Sequence, residues 1–484
     1  MKTKKTLLFG LLATITLLIT SCGNFDSLNT DSTRLTSSNP GTFLNPVLYG
    51  MATYNWNRYD DYTFPLLQSE VSTSSTTGVG WYFMSDAAGD GTWTTYYQWL
   101  NNIKAMENVA ETMHEPNYVA IAMTLRSWIF QLLADSFGDV PMTEACRGDE
   151  QLFNPKFDTQ KTIYQNMIND LDSANTLFNT ASGLKYNTGG ELLYSTDATL
   201  TAGASSGILK WKKFCNSLRM RVLLRVLNVD GLNAKAKLIE MVGNPTKYPV
   251  FSSNSDAALL SVSGVSPQLA PLTRSQDFTA YAYLSEFFVN NLKNWNDPRL
   301  PIFATQATNN GVKSYIGYPS GYKVVPSFNA SQPNVNLAIA PMKLTLMNYA
   351  EVELIKAELA QRGIISEDAK THYQNGVSAA ITQWGGVVPA NYFANSAAAY
   401  DGTLERIMVQ KFYALFFCDC QAWYEINRTG YPVLPRGDGV AAGNNFPCRY
   451  KYPAVLQRTN LKNYQAAKAS MGGDDFSVKL IWQK

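Results

Sequence analysis

Apolar residues recur at helical spacing in paired segments that proline or glycine separates, and this pattern constrains the fold more than any other feature. One such segment spans 94–113 and a second spans 118–137, with Pro116 between them. Two amphipathic helices joined by so short a turn form an antiparallel helical hairpin. Gly138 and Pro141 are expected to end the second helix.

The same pattern recurs along the chain. Further helices are expected at 45–54, 161–178, 211–229, 344–361, 368–383 and 404–423. Pairs of about 34 residues are typical of tetratricopeptide-like hairpins. Two insertions, 183–209 and 244–340, are instead rich in Gly, Ser, Asn, Pro and Tyr and hold short β-type runs. Long irregular segments of this kind usually carry function.

The N-terminus has the features of a lipoprotein leader. Three lysines precede an apolar stretch at 7–19, which is too short to anchor a helix across a bilayer. Small residues then lead to Cys22, as in a bacterial lipobox. We expect a signal peptide at 1–21, lipid on the Cys22 thiol, a tether at 22–43 and a folded domain at 44–484. The alternative is an ordinary signal peptide with an incidental cysteine.

Composition excludes several function classes. Lys plus Arg number 40 against 38 acids, so no nucleic-acid partner is indicated. The chain has only two histidines, His114 and His372, which argues against a His-rich metal site or a Ser-His-Asp triad. Glu353 and Glu358 are five residues apart on one helix and therefore face different ways, unlike a glycosidase acid pair. No cofactor or catalytic residue is predicted, and no calcium-loop spacing occurs, although a structural Ca²⁺ is compatible with the many Asp and Asn residues.

Six stretches in one order resemble the SusD/RagB family of outer-membrane lipoproteins, in its SusD-like branch. They are LLADSFGDVP at 132–141, FNPKFDTQ at 153–160, WKKFCNSLRMR at 211–221, YAEVELIKAE at 349–358, NRTGYP at 427–432 and PCRY at 447–450. These motifs are expected to have mainly structural roles and not to form the ligand-binding site. Arg126, Arg219 and Arg221 lie on apolar helices and need acidic partners such as Glu351, Glu353, Glu358 and Asp135.

The resemblance implies a mostly α-helical fold of tetratricopeptide-like hairpins in a right-handed superhelical scaffold, with an irregular lobe and a few short strands. It implies a non-catalytic nutrient binder, lipid-anchored in the outer membrane and facing the exterior. Its implied partner is a SusC-like TonB-dependent β-barrel transporter, over which it sits as a lid.

Aromatic residues in the irregular segments are the candidate ligand contacts. Aromatic rings can stack on the flat C–H faces of sugars while neighbouring polar groups bind the hydroxyls. An early loop and a middle insertion supply the predicted ligand-binding set: Trp81, Tyr82, Asp90, Trp93, Tyr96, Trp295, Tyr315 and Tyr318. We expect Trp81, Tyr82 and Trp93 to be exposed.

Two functions of different classes remain open. The first is capture of a glycan or oligosaccharide for the transporter, with stacking aromatics in one groove. The second is capture of peptides or another nutrient, or a structural role, with the aromatics packed inside. The sequence does not identify the ligand or the state of the five cysteines that follow Cys22.

Overall fold

Helices that pack in antiparallel pairs make up most of the computed structural model, which describes residues 38–187, 190–195 and 207–483. The long helices are α1 (Gly41–Arg58), α2 (Asp90–Thr112), α3 (Pro116–Phe137), α4 (Gln160–Leu177), α5 (Gly207–Arg225), α6 (Ala234–Gly243), α7 (Glu286–Trp295), α8 (Tyr349–Gln361), α9 (Ala369–Gln383), α10 (Leu404–Ala414), α11 (Gln421–Thr429) and α12 (Leu461–Met471). Shorter helical turns occur at Phe64–Leu66, Leu300–Phe303 and Leu456–Thr459.

The helices pair as the sequence predicts. Neighbours from α1 to α5 pack in succession, and α8 packs on α9 with α10 against both. Local signals define several ends: the Asp368 carboxylate accepts from the N–H of Thr371 at 2.8 Å and caps α9, and Gly138 ends α3 at a φ of +93°. The predicted fold class, mostly α with helical hairpins and a loop-rich lobe, is confirmed.

Short antiparallel strand pairs occupy the irregular lobe of the described chain. The strands are β1 (Glu70–Ser72), β2 (Ala258–Val262), β3 (Ala282–Leu284), β4 (Ala307–Asn309), β5 (Val312–Ser314) and β6 (Met342–Met347). β1 pairs with β3, β2 with β6, and β4 with β5. The β1–β3 pair joins the early loop to the middle insertion, and the β2–β6 pair joins the start of that insertion to the strand that follows it.

Two helix predictions are wrong in their bounds. Residues 344–347 form part of β6 because they pair with β2, and α8 begins only after Asn348, whose side chain accepts from the N–H of Glu351. The helix expected over 404–423 is two helices, α10 and α11. Phe417 and Asp419 between them have φ of 54° and 38°, in the left-handed region that a continuous helix cannot contain.

The N-terminal predictions remain untested. None of the described helices is both long and apolar enough to cross a membrane. Cys22, the signal peptide and most of the tether lie outside the described residues, as do 188–189 and 196–206 of the first insertion.

Candidate ligand-binding cleft

Trp81 and Tyr82, expected to be exposed, are buried. Trp81 is 3% exposed, and its indole N–H donates to the backbone carbonyl of Tyr322 at 3.0 Å. Its ring meets the Tyr322 ring edge-on with centroids 5.1 Å apart, and Tyr82 packs against Phe446. The prediction failed because distant segments fold over this loop, and loop composition carries no signal of such contacts.

The three predicted residues of α2 contribute to packing. Tyr96 is fully buried, and its hydroxyl donates to the Asn55 side chain at 2.8 Å. Trp93 is only half-buried, but its ring packs between the rings of Phe137, Phe157 and Tyr452. Asp90 begins the helix, and partial burial raises the pKa of its carboxyl.

The second predicted aromatic cluster is also mostly internal. Trp295 is buried against Tyr413, with ring centroids 4.9 Å apart. Tyr318 is buried and donates its hydroxyl to the carbonyl of Pro326 at 3.2 Å, whereas Tyr315 stays half-buried. A ligand contact by any of the eight residues stays a prediction, but five of them (Trp81, Tyr82, Tyr96, Trp295 and Tyr318) are core side chains.

The early loop and the middle insertion do come together, as predicted. Tyr322 contacts Trp81 on one side and Tyr318 on the other, where the ring centroids are 5.5 Å apart. Its hydroxyl donates to the carbonyl of Ser72 at 2.9 Å. Trp81 of the first predicted cluster and Tyr318 of the second are therefore joined by packing through Tyr322, and they do not form an open stacking surface.

A different aromatic residue, Trp384, lines an open cleft of about 720 Å³, here called the Trp384 cleft. This volume is within the range of small-molecule and oligosaccharide sites. Trp384 follows α9 directly and is half-buried. Phe303 and Phe416 pack against its ring at centroid distances of 5.2 and 5.7 Å, which holds the indole in place.

The β2–β6 pair forms one side of the Trp384 cleft. Leu259 lies opposite Thr345 and Ser261 lies opposite Lys343, and all four line the cleft. Alternate residues of a strand face opposite sides, so the intervening Leu260 and Leu344 are buried in the core. The strand register thus places one apolar and three polar side chains on the cleft side of the pair.

Polar and aromatic groups complete the lining. The Gln383 Oε1 atom is buried and has no hydrogen-bond partner within the described part of the chain. Asn334 and Asn336 add amide groups, and the rings of Trp56 and Phe417 stack at 5.0 Å beside the cleft. An aromatic ring together with polar lining groups suits a ligand with both apolar C–H faces and hydrogen-bonding groups.

A smaller cleft of about 280 Å³ is lined by the carboxylates of Asp60, Asp61, Glu70 and Asp277, and we call it the acidic cleft. Trp81 lines it as well. Burial raises the pKa of Asp60 to about 7 and that of Glu70 to about 8, and neighbouring carboxylates add to both shifts. Among the described residues no group of three or more His, Cys, Asp or Glu side chains could hold a metal ion.

Sequence reasoning missed the residues of the Trp384 cleft. A signal was present, because Trp384 stands before Gly385-Gly386 at the end of a predicted helix, where a large apolar residue has no helical stripe to join. The contribution of Lys343 could not be found, since residues 344–347 were assigned to a helix.

Comparisons with family models and with solved structures found related proteins. A family model described as starch-binding and associating with the outer membrane, SusD-like, matches residues 32–453. A chitin-binding protein of solved structure is 27% identical with a TM-score of 0.78, covering 92% of this chain and 100% of that one. A search of curated protein sequences gave no match.

Two further solved structures share the fold. A SusD homologue from Bacteroides fragilis is 23% identical, with a TM-score of 0.77 over 93% of this chain and 100% of its own. A putative outer-membrane protein from Bacteroides vulgatus, described as probably involved in nutrient binding, is 22% identical, with a TM-score of 0.77 over 92% of this chain and 100% of its own. Because the family model spans most of the chain, the protein belongs to the SusD-like family.

Proposed function

We propose that the protein is a lipid-anchored, non-catalytic binder that captures a glycan in the Trp384 cleft at the cell surface. One observation carries the proposal: a half-buried indole lines an open cleft together with Gln383, whose buried amide oxygen has no hydrogen-bond partner among the described residues. Such an oxygen is costly unless a ligand or water donates to it. The described likeness to a chitin-binding protein supports a sugar ligand.

Membership of the family supports a proposal for the binding partner. We propose that the glycan passes to a SusC-like TonB-dependent β-barrel, with Cys22 as the lipid attachment site on the same membrane. Co-purification of the barrel with the tagged full-length protein from outer membranes tests the partnership. A Cys22→Ser variant should lose the membrane fraction but keep the glycan affinity, and membrane retention by this variant would contradict the anchor.

Replacing Trp384 by alanine should weaken glycan binding by about tenfold or more. Losing the contact of a large aromatic face removes roughly 1.5–3 kcal/mol of apolar stabilisation. The assay is affinity electrophoresis and calorimetry of residues 23–484 against neutral and acidic polysaccharides, chitin oligosaccharides and peptide digests. Trp384→Phe, which keeps a ring, should retain part of the affinity.

Trp99 offers a matched control, because it is a half-buried tryptophan on α2 outside the Trp384 cleft. Trp99→Ala should leave glycan affinity unchanged. Equal loss in the Trp99 and Trp384 variants would indicate general unfolding and contradict a local site. Binding of peptides, with every glycan inert, would move the function to peptide capture.

A further inference from the structure

The charges that line the Trp384 cleft are unbalanced. Among its lining residues, all of which the structure describes, there is one lysine, Lys343, and no aspartate or glutamate. Sugar hydroxyls are good donors, and carboxylates are the strongest acceptors that a protein offers them. The formal charge of the cleft therefore favours a ligand that carries an anionic group as well as hydroxyls.

Lys343 is held at the cleft by the register of the sheet. It lies on β6 opposite Ser261, between the buried residues Met342 and Leu344. Strand alternation therefore directs its side chain away from the core. Its ammonium group has no ion pair or hydrogen bond with any residue in the described ranges. The cation is thus available to a ligand without first breaking an internal contact.

Gln383 adds a hydrogen-bond acceptor to the cation that Lys343 provides. Its side chain lines the cleft and its buried Oε1 atom accepts from no described residue, so a ligand hydroxyl or N–H that reaches this oxygen would supply the missing hydrogen bond. Trp384, the next residue, provides the apolar surface. The cleft thus combines a ring with an acceptor and a cation that have no partner among the described residues, which matches a sugar that carries hydroxyls and also an anionic substituent.

We propose that the Trp384 cleft selects an acidic glycan, whose carboxylate or sulfate groups pair with Lys343 while its hydroxyls reach Gln383. The inference rests on the proposed glycan-binding function and narrows its substrate class. An ammonium–anion hydrogen bond is stronger than a neutral one, and on the cleft wall it should change affinity by about fivefold.

Matched pairs of polymers isolate the charge. Calorimetry on residues 23–484 compares polygalacturonate with its methyl ester, and chondroitin sulfate with desulfated chondroitin. The acidic member of at least one pair should bind about fivefold more tightly, and rising salt should reduce this advantage. The pectin pair reports a carboxylate and the chondroitin pair a sulfate. Equal affinity within both pairs overturns the inference.

Variants assign the preference to one residue. Lys343→Met keeps the aliphatic stem and should abolish the acidic preference, whereas Lys343→Arg should retain it. Gln383→Glu should reverse it by placing a carboxylate in the cleft. Lys313→Met, the same change at an exposed strand position outside the cleft, is the control and should alter nothing. A preference that persists in Lys343→Met overturns the proposal.

Trp384→Ala separates failure of this inference from failure of the proposed function. If chitin oligosaccharides bind and Trp384→Ala abolishes that binding, but acidic polymers have no advantage, the proposed function stands and the acidic preference is wrong. If no polymer or oligosaccharide binds, or if Trp384→Ala changes no affinity, both are wrong.

Discussion

Replacing Glu425 by glutamine should lower the free energy of unfolding by about 3–5 kcal/mol, because it removes one charge from a buried ionic network. The Glu425 carboxylate accepts from Arg225 at 2.7 Å, from Lys411 at 2.7 Å and from Arg428 at 2.6 Å. Glutamine keeps the volume of the side chain, so the change tests charge without creating a cavity. The expected result is a large fall in the urea midpoint.

Most of the expected loss of stability in Glu425→Gln comes from Lys411. Arg428 keeps Glu358 as a partner and Arg225 keeps Asp135. Lys411 is 1% exposed, and Glu425 is its only ion-pair partner among the described residues. Without that carboxylate the ammonium group is a buried, uncompensated charge, which costs far more than the loss of an exposed pair.

The pH dependence of this effect has a definite sign. Burial alone would raise the pKa of Glu425, but Arg428, Lys411 and Arg225 outweigh it and hold the pKa well below the ordinary 4.5. A depressed carboxyl pKa stabilises the fold above the unfolded value and loses that effect as pH falls through the folded value. The stability gap between wild type and Glu425→Gln should therefore persist near neutral pH and narrow in acid below pH 4.5.

Glu150 supplies a control of the same sequence spacing. Arg147 and Glu150 form an i,i+3 pair like that of Glu425 and Arg428, but both side chains are exposed to solvent. Glu150→Gln should leave the urea midpoint unchanged within error, because solvent screens exposed pairs. Equal effects of the two substitutions would contradict the argument that burial sets the energy of the network.

The sequence predicted that buried arginines would need acids, but it identified only some of the pairs. Arg221 does pair with Glu351, with both side chains almost fully buried. Arg126 instead contacts Glu107 and Asp170, on the helices before and after its own. Helical periodicity identifies which side chains are buried, whereas the choice of partner depends on how helices pack, which no single segment encodes.

At the ligand site, too, local features could be predicted from the sequence but long-range contacts could not. Helix pairs are local, so α2 and α3 were predicted to within a few residues. The burial of Trp81 depends on a contact with Tyr322 across 241 positions of sequence. The cleft that Trp384 lines is formed in part by the pairing of β2 with β6, which are also far apart in sequence. Long-range contacts therefore decide which aromatic rings fill the core and which line a cleft.

Replacing Trp81 by alanine should destabilise the protein by about 3–5 kcal/mol, the range for removing a large core aromatic. The substitution removes the packing of the ring on Tyr322 and the indole hydrogen bond to its carbonyl. The folded fraction should still bind glycan within about twofold of wild type, because Trp81 does not line the Trp384 cleft.

Trp384→Ala should instead cause a smaller loss of stability and a large loss of glycan affinity. The reason is that the Trp384 ring is half-buried and lines a cleft. Urea unfolding and calorimetric titration of both variants, at a temperature where both stay folded, make the comparison. A Trp81→Ala protein with wild-type stability and no glycan binding would instead place the ligand at the acidic cleft. In that case the stacking role that the sequence predicts for Trp81 would be correct, and the Trp384 cleft would not be the glycan site.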